Sequence, residues 1–165
     1  GPVDMIDAWF AAVDGAMAAA LPAATLATMK IRERIRALVS FRLDAVAADR
    51  EALRRAMGVL AMPQNIPAAT RLGWRSVDLM WRLAGDDAAD FNHYSKRLTL
   101  SAIYSATILV FLNDESEDFA DTRAFLDRRI QNVMDFEKGK AKLAERREHL
   151  PSLSRFIGRL RYPVA

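Results

Sequence analysis

The stretch Leu98-Thr-Leu-Ser-Ala-Ile-Tyr-Ser-Ala-Thr-Ile-Leu-Val-Phe-Leu112 decides the fold. Wound at 3.6 residues per turn it is apolar on nearly every face, and such a helix belongs at the centre of a bundle. It falls short of the roughly 18 residues that a bilayer-spanning helix needs. Running back from Leu98, the same helix is expected to begin at Phe91. Outward from this centre the helix signals continue and no hairpin turn pair interrupts them. The Ala-rich run from Asp4 to Leu21 carries Met5, Ile6, Trp9, Phe10, Val13 and Met17 at helical spacing, and Pro22 ends it. A longer helix is expected from Thr25 to Ala47, with Ile31, Ile35, Leu38, Val39 and Leu43 on one stripe. A shorter one starts at Asp49 or Arg50 and stops at Pro63. The next starts near Pro67 and ends at Gly85, a suitable C-terminal cap. After the central helix another runs from Thr122 to about Glu148, and Pro151 opens a last one to about Arg161. No internal repeat and no low-complexity linker appears, so the expected fold class is an all-α bundle.

Composition narrows the chemistry. The chain of 165 residues suits one domain and has 52% apolar and 27% charged residues, unlike a disordered or integral membrane protein. Cysteine is absent, which removes disulfide, thiol-nucleophile and zinc–thiolate readings. Nineteen arginines against five lysines, with abundant alanine, point to a GC-rich, bacterial coding genome. The net charge of +3 is uneven: the segment from Glu137 to Ala165 carries +5 and the remainder −2. A basic end on a near-neutral body points to an anionic surface as partner.

Catalytic motifs do not assemble. The two histidines are His93 and His149. Asp90 and His93 form a single Asp-x-x-His, whereas a carboxylate-bridged di-iron site in a bundle uses paired Glu-x-x-His motifs. There is no Gly-x-Ser-x-Gly, P-loop or Gly-x-Gly-x-x-Gly. The expectation is a protein that is not an enzyme and needs no cofactor. The acidic turns Asp86 to Asp90 and Asp114 to Asp118 read as caps for the helices that follow them.

Those turns belong to a longer ordered pattern. Arg55-Ala-Met-Gly-Val-Leu-Ala-Met-Pro-Gln-Asn-Ile-Pro67 precedes Ala84-Gly-Asp86, then Asp90-Phe-Asn-His-Tyr-Ser-Lys-Arg97, Tyr104, Thr107, Asp114, Ser116, Asp118-Phe119, Asp121-Thr122, Phe125-Leu126 and Arg129. From about Arg32 to Lys142 the chain resembles the COQ-nine family of ubiquinone-biosynthesis accessory proteins. The resemblance implies a TetR-regulator-like helical fold with a ligand cavity, and binding of an isoprenoid quinone intermediate or a surrogate phospholipid. It also implies partnership with the di-iron demethoxyubiquinone hydroxylase, in which the chemistry belongs to the partner. A helix-turn-helix unit precedes the ligand domain in that fold. Nothing precedes Val3 that would form one here, so the chain is expected to lack it and not to bind nucleic acid. A homodimer stays open. The lipid-binding domain is expected over residues 3–149, with Leu38, Phe41, Met57, Leu60, Met62, Trp81, Tyr104, Leu109 and Met134 as cavity candidates; soft methionine and bulky aromatic side chains adapt to irregular ligands. A filled core is the alternative reading of the same residues. Met80, Asp90, His93 and Tyr94 are the candidates for contact with the hydroxylase, and His93 departs from the family pattern, in which a tryptophan often stands there.

Residues 150–165 read separately. Leu153, Phe156, Ile157 and Leu160 fall at helical spacing with Arg155, Arg159 and Arg161 between them, which describes a basic amphipathic helix of the interfacial type. The expected location is the cytoplasmic face of a bacterial inner membrane, or the matrix face of the mitochondrial one. Two rivals remain: the ligand-sensing domain of a TetR-type regulator, and an enzyme acting on the quinone ring itself.

Overall fold

In the computed structural model, residues 1–86 and 91–149 are described. Seven α-helices run in order through them: α1 (Pro2–Ala20), α2 (Ala23–Leu26), α3 (Ile31–Val46), α4 (Arg50–Leu60), α5 (Ile66–Leu83), α6 (Phe91–Leu112) and α7 (Ala120–His149). Single 3-10 turns at Ala47–Asp49, Pro63–Asn65 and Glu117–Phe119 join some of them, and no strand occurs among the described residues. The fold is all-α. Two units are distinguished, residues 1–130 and residues 131–165, the second described as far as His149. The expected helix at 150–165 and the acidic residue Asp90 lie outside the described residues.

In the first unit α1 lies against α3, α4 and α5, and α6 lies against α3, α4 and α5. The core is aliphatic: Met17, Leu26, Leu38, Val39, Met80, Leu100, Phe111 and Leu126 have essentially no exposed surface. The expected bounds of α6 agree with the observed ones, but its surroundings do not. Leu98 is 63% and Leu109 65% exposed, three turns apart on one face that also shows Ala102 and Ser105 to solvent. The other faces carry the buried Leu100, Ile103, Thr107 and Phe111, so α6 is packed on its inner sides and not encircled.

The helix expected over Thr25–Ala47 is two helices. The carbonyls of Ala27 and Met29, which a continuous helix would have used internally, instead accept from the Arg34 guanidinium, at 3.2 Å from Nη2 and 2.8 Å from Nε. Glu33 turns back to accept from the Lys30 amide (3.0 Å), closing the new N-terminus of α3. Arg34 Nη1 also reaches the Ala84 carbonyl at the end of α5, 2.7 Å away. There Gly85 takes φ +92, its amide donating to the Arg82 carbonyl and the Asp86 amide to that of Trp81, a Schellman end that a β-carbon would strain. The end of α6 is closed in the same currency: Arg50 donates to the carbonyls of Phe111 (3.1 Å) and Asp114, and Arg54 to that of Leu112. Three arginines, Arg34, Arg50 and Arg54, thus serve carbonyls at or just beyond helix ends.

The turn from α6 to α7 is organised by Asp114. Its carboxylate accepts from the Ser116 amide (2.7 Å) and the Thr122 amide (2.9 Å), and from both hydroxyls. Burial alone would raise its pKa; the hydrogen bonds from Ser116 and Thr122 overcome that and hold the carboxyl well below the usual carboxylate range. Inside the same turn Asp118 and Phe119 both take positive φ (50° and 54°), a costly conformation for non-glycine residues. It is held by the Phe119 ring, 4.9 Å from that of Phe111 and 5.2 Å from the Arg50 guanidinium, and by Arg123 donating to the Asp118 carbonyl at 2.9 Å.

Asp114→Ala removes a cap and leaves buried donors unpaired, and is expected to cost about 2–3 kcal/mol. At roughly 2–4 °C per kcal/mol for a chain of this size, Tm should fall by some 4–12 °C at pH 7. Because folding lowers this carboxyl's pKa, its contribution is complete above the unfolded value near 4 and drains away as pH falls toward the folded one. Calorimetry of parent and variant should therefore show the gap in Tm narrowing below about pH 4; a gap of constant size down to pH 2 would mean the ionised carboxylate is not what stabilises the turn.

Candidate functional site

Between α1, α3, α4, α5 and α6 the first unit leaves a half-enclosed pocket of about 280 Å³. Each helix contributes for a local reason. On α5 the small residues Ala69 and Gly73, followed by Ser76, stand one helical turn apart and leave a smooth wall. Facing it, α1 supplies Phe10, α4 supplies Met57, Leu60 and Ala61, and α6 supplies Tyr104, Ser105 and Ile108. The aliphatic cluster of Ile6, Ala56, Leu60 and Leu72 backs the wall and holds Trp9, Phe10 and Met57 against it.

The deep end is polar. Arg42 from α3 is 2% exposed and Ser76 1%. The Arg42 guanidinium pairs with the Asp14 carboxylate of α1, and donates from Nε to the Tyr104 hydroxyl and from Nη2 to Ser76 Oγ, both at 3.0 Å. Ser76 Oγ donates to Asp14 at 2.9 Å. Arg75 reaches the second Asp14 oxygen at 3.2 Å and joins Asp7 at 2.6 Å. Desolvation works to strip the proton from Arg42, but the hydroxyl of Tyr104 and the carboxylate of Asp14 more than offset it, so the guanidinium is held still more firmly charged than usual.

Of the nine side chains the sequence offered for a cavity, this pocket brings together three: Met57, Leu60 and Tyr104. Leu38 is completely buried in the core instead, on the same face of α3 as Arg42 but one turn nearer the helix start, outside the pocket lining. Phe41 is half-buried outside the lining, and Met62 is 45% exposed in the turn after α4. Trp81 donates from Nε1 to the Lys96 carbonyl at 3.0 Å, tying α5 to α6. Leu109 borders a shallow depression with Asn113, Asp114 and Asp121, and Met134 belongs to the second unit. Sequence reasoning missed Phe10, Arg42, Ser76 and Ile108. The available signals were an arginine interrupting the apolar stripe of α3 and the Ala69, Gly73, Ser76 spacing on α5.

A second opening lies between α1 and α4. It is a broad apolar groove of about 490 Å³ bordered by Met5, Ile6, Trp9, Ala56 and Val59. Met5 is 74% exposed there.

The expected partner surface is rearranged. Met80 is 0% exposed: its position on α5 points it into the core, so it offers nothing to a partner. Tyr94 is 57% exposed, stacked at 6.1 Å on Trp74 and edge-on to His93 at 5.0 Å, and Leu98 stands one turn further along α6. Asp86 is an ion-pair anchor, not an amide cap: it accepts from Lys96 (2.9 Å) and from the fully buried Arg97 (3.1 Å), which also bonds Asp78 at 2.8 Å. Burial acts against the Asp86 charge, but these two donors prevail and its pKa is lowered. Among the described residues no three potential metal ligands come together, and no helix is long and apolar enough to cross a membrane.

The COQ9 family profile matches residues 66–137, from the start of α5 into α7. The chain is similar to the mitochondrial ubiquinone biosynthesis protein COQ9 of Rattus norvegicus, 42% identical over 106 residues that make up 64% of this chain and 34% of that protein. The Homo sapiens counterpart is 41% identical over 106 residues, 64% of this chain and 33% of that protein. A probable coq9 of Dictyostelium discoideum is 31% identical over 120 residues, 73% and 39% respectively. The chain thus spans about a third of the length of these relatives. Among solved structures, the TetR transcriptional regulator from Nitrosomonas europaea ATCC 19718 superposes with a TM-score of 0.63 at 30% identity, covering 78% of this chain and 70% of that one. With a TetR-like all-α fold and this run of matched sequence through α5, α6 and α7, the chain belongs to the COQ9 family.

Proposed function

We propose that this chain is a non-catalytic lipid-binding protein of ubiquinone biosynthesis that holds an isoprenoid quinone intermediate and presents it to the di-iron hydroxylase that acts on it. The pocket among α1, α3, α4, α5 and α6 carries the reading, together with the relatives' naming as ubiquinone biosynthesis proteins. Its walls are aliphatic and aromatic with a few convergent polar groups, the usual make-up of a small-molecule site. Its volume of about 280 Å³ falls just below the range of roughly 300–1,000 Å³ typical of such sites, so a ring and the first part of a tail fill it. The rest of a long tail runs out toward solvent or a membrane. The likeness to a TetR regulator supports a ligand-sensing role as the alternative reading; what separates the two is whether the occupant is handed on to an enzyme.

Two surfaces complete the proposal. Tyr94 and Leu98, exposed one turn apart on α6, form the place where the hydroxylase would dock, with Asp90 and His93 beside them in sequence. The sequence of 150–165, with Leu153, Phe156, Ile157 and Leu160 among Arg155, Arg159 and Arg161, is the membrane anchor. Each apolar side chain contributes up to roughly 1.5–3 kcal/mol when fully buried. Each arginine adds about 1 kcal/mol beside an anionic leaflet. Ordering the segment costs roughly 1–2 kcal/mol per residue. The balance is narrow, so docking is weak, reversible and salt-sensitive.

Solvent extraction of the purified protein, followed by mass spectrometry, is expected to release a quinone-like lipid or a phospholipid; an empty extract from protein that also fails to take up added quinone would refute the carrier role. Tyr94→Ala and Leu98→Asp should each weaken the complex with the hydroxylase by roughly tenfold or more if this is the central patch, read by calorimetric titration. Unchanged affinity in both folded variants would place the contact elsewhere. In flotation with acidic vesicles, the double change Phe156→Asp with Ile157→Asp should leave the protein at the bottom of the gradient, and a double variant that still rises with the vesicles means residues 150–165 are not the anchor.

A further inference from the structure

The deep end of the pocket holds more polar chemistry than a purely apolar tail needs. Arg42 uses three of its five N–H groups on Asp14, Ser76 and Tyr104. The Tyr104 oxygen accepts from Arg42 Nε, and among the described residues its hydroxyl hydrogen meets no acceptor, while its ring lines the pocket. The charges facing the pocket are matched: Arg42 stands against Asp14, and Arg75, which also touches Asp14, against Asp7, while Arg71, the other partner of Asp7 at 3.9 Å, is largely in water. An added anion would enter a half-enclosed apolar space beside the buried Asp14 carboxylate with no unmatched cation to receive it, and would lose its hydration as well. A neutral oxygen suffers neither cost. It accepts the free Tyr104 O–H, whose donor strength is raised because the same oxygen is already held by a guanidinium.

We propose that the Tyr104–Arg42 end of the pocket is a seat for a neutral ring oxygen, the carbonyl of a quinone or the oxygen of a phenol. The ring is bound inward, against Phe10, Met57 and Leu60. The tail leaves past Ala61, Gly73 and Ser105, the solvent-exposed members of the lining. The seat rests on the carrier reading and sharpens it: the pocket selects an oxygen-bearing ring over a bare hydrocarbon or a phospholipid headgroup, and delivery requires the ring to leave the seat.

The test is displacement of the neutral dye N-phenylnaphthylamine from the full chain by three probes. These are a ubiquinone analogue with a ten-carbon saturated tail, decylbenzene, and dilauroyl phosphatidylglycerol. The parent is expected to bind the quinone more tightly than the other two. Tyr104→Phe, which keeps the ring and removes only the hydroxyl, should weaken quinone binding by about threefold to tenfold and leave decylbenzene unchanged. The unchanged decylbenzene affinity also shows that the variant's pocket is intact. The seat is overturned if the variant keeps the parent's preference for quinone, if it loses both ring probes equally, or if the parent binds the phospholipid as well as the quinone. A parent that binds none of the three sinks the carrier reading and the seat together, a result distinct from the failure of the seat alone.

Discussion

A guanidinium with 2% of its surface exposed, paired to a carboxylate with 6%, fixes how four helices meet. Withdrawing both charges from water costs several kcal/mol each, and the pair is tolerable only if its geometry is good and its remaining lone pairs and N–H groups are met. Asp14 comes from α1, Arg42 from α3, Ser76 from α5 and Tyr104 from α6, so the requirement is imposed on all four at once. Aliphatic packing tolerates sliding and repacking; this network does not, since losing one member strands another in a place water does not reach. The pocket follows from the same constraint. Side chains held by hydrogen bonds cannot collapse into the space that Ala69 and Gly73 leave open, so the cavity persists beside a rigid floor.

Arginine does a second, quieter job. Every helix end leaves carbonyls without an intrahelical partner, and burying such groups unpaired is costly. Arg34, Arg50 and Arg54 each satisfy carbonyls of a helix other than their own, linking the ends of α2, α5 and α6 to α3 and α4. The guanidinium suits this because its planar fork reaches two acceptors at once. A lysine at position 34 would meet one carbonyl well, whereas Arg34 serves Ala27, Met29 and Ala84 together.

What the sequence revealed divides along a physical line. Element type and the ends of α6 were legible because apolar periodicity and the Gly85 and Asp114 signals are local, set by residues no more than eight positions apart. The break after α2 was not, because it depends on Arg34 finding carbonyls to hold, and one of them is fifty positions away in sequence. The cavity was half legible for the same reason. Met57, Leu60 and Tyr104 look like pocket residues by type, but Leu38 looks the same and lies in the core. What separates them is position along the helix: Leu38 shares the inward face of α3 with Arg42 but lies one turn before it, where the core is filled. The misjudged Met80 has the same origin: on α5 the buried face carries Ser76, Val77 and Met80 together, so the residue expected to meet a partner is committed to the interior.

The central stretch from Leu98 to Leu112 then reads differently from a helix that is simply buried. Its inner face, Leu100, Ile103, Thr107 and Phe111, builds the core. A neighbouring strip with Tyr104, Ser105 and Ile108 borders the pocket. The remaining strip, from Tyr94 through Leu98 to Leu109, is apolar and open to solvent, which soluble chains avoid unless the surface is used. An all-round apolar sequence can therefore arise in two ways: from a helix surrounded by its own chain, or from one that shares its faces between core, ligand and partner. Periodicity cannot tell these apart, because both erase the polar stripe. Exposure does: Leu98 and Leu109 stand in water while Leu100 does not. A helix so divided places the pocket wall and the exposed apolar strip on one rod, with Tyr104 of the pocket six residues from Leu98 of the strip.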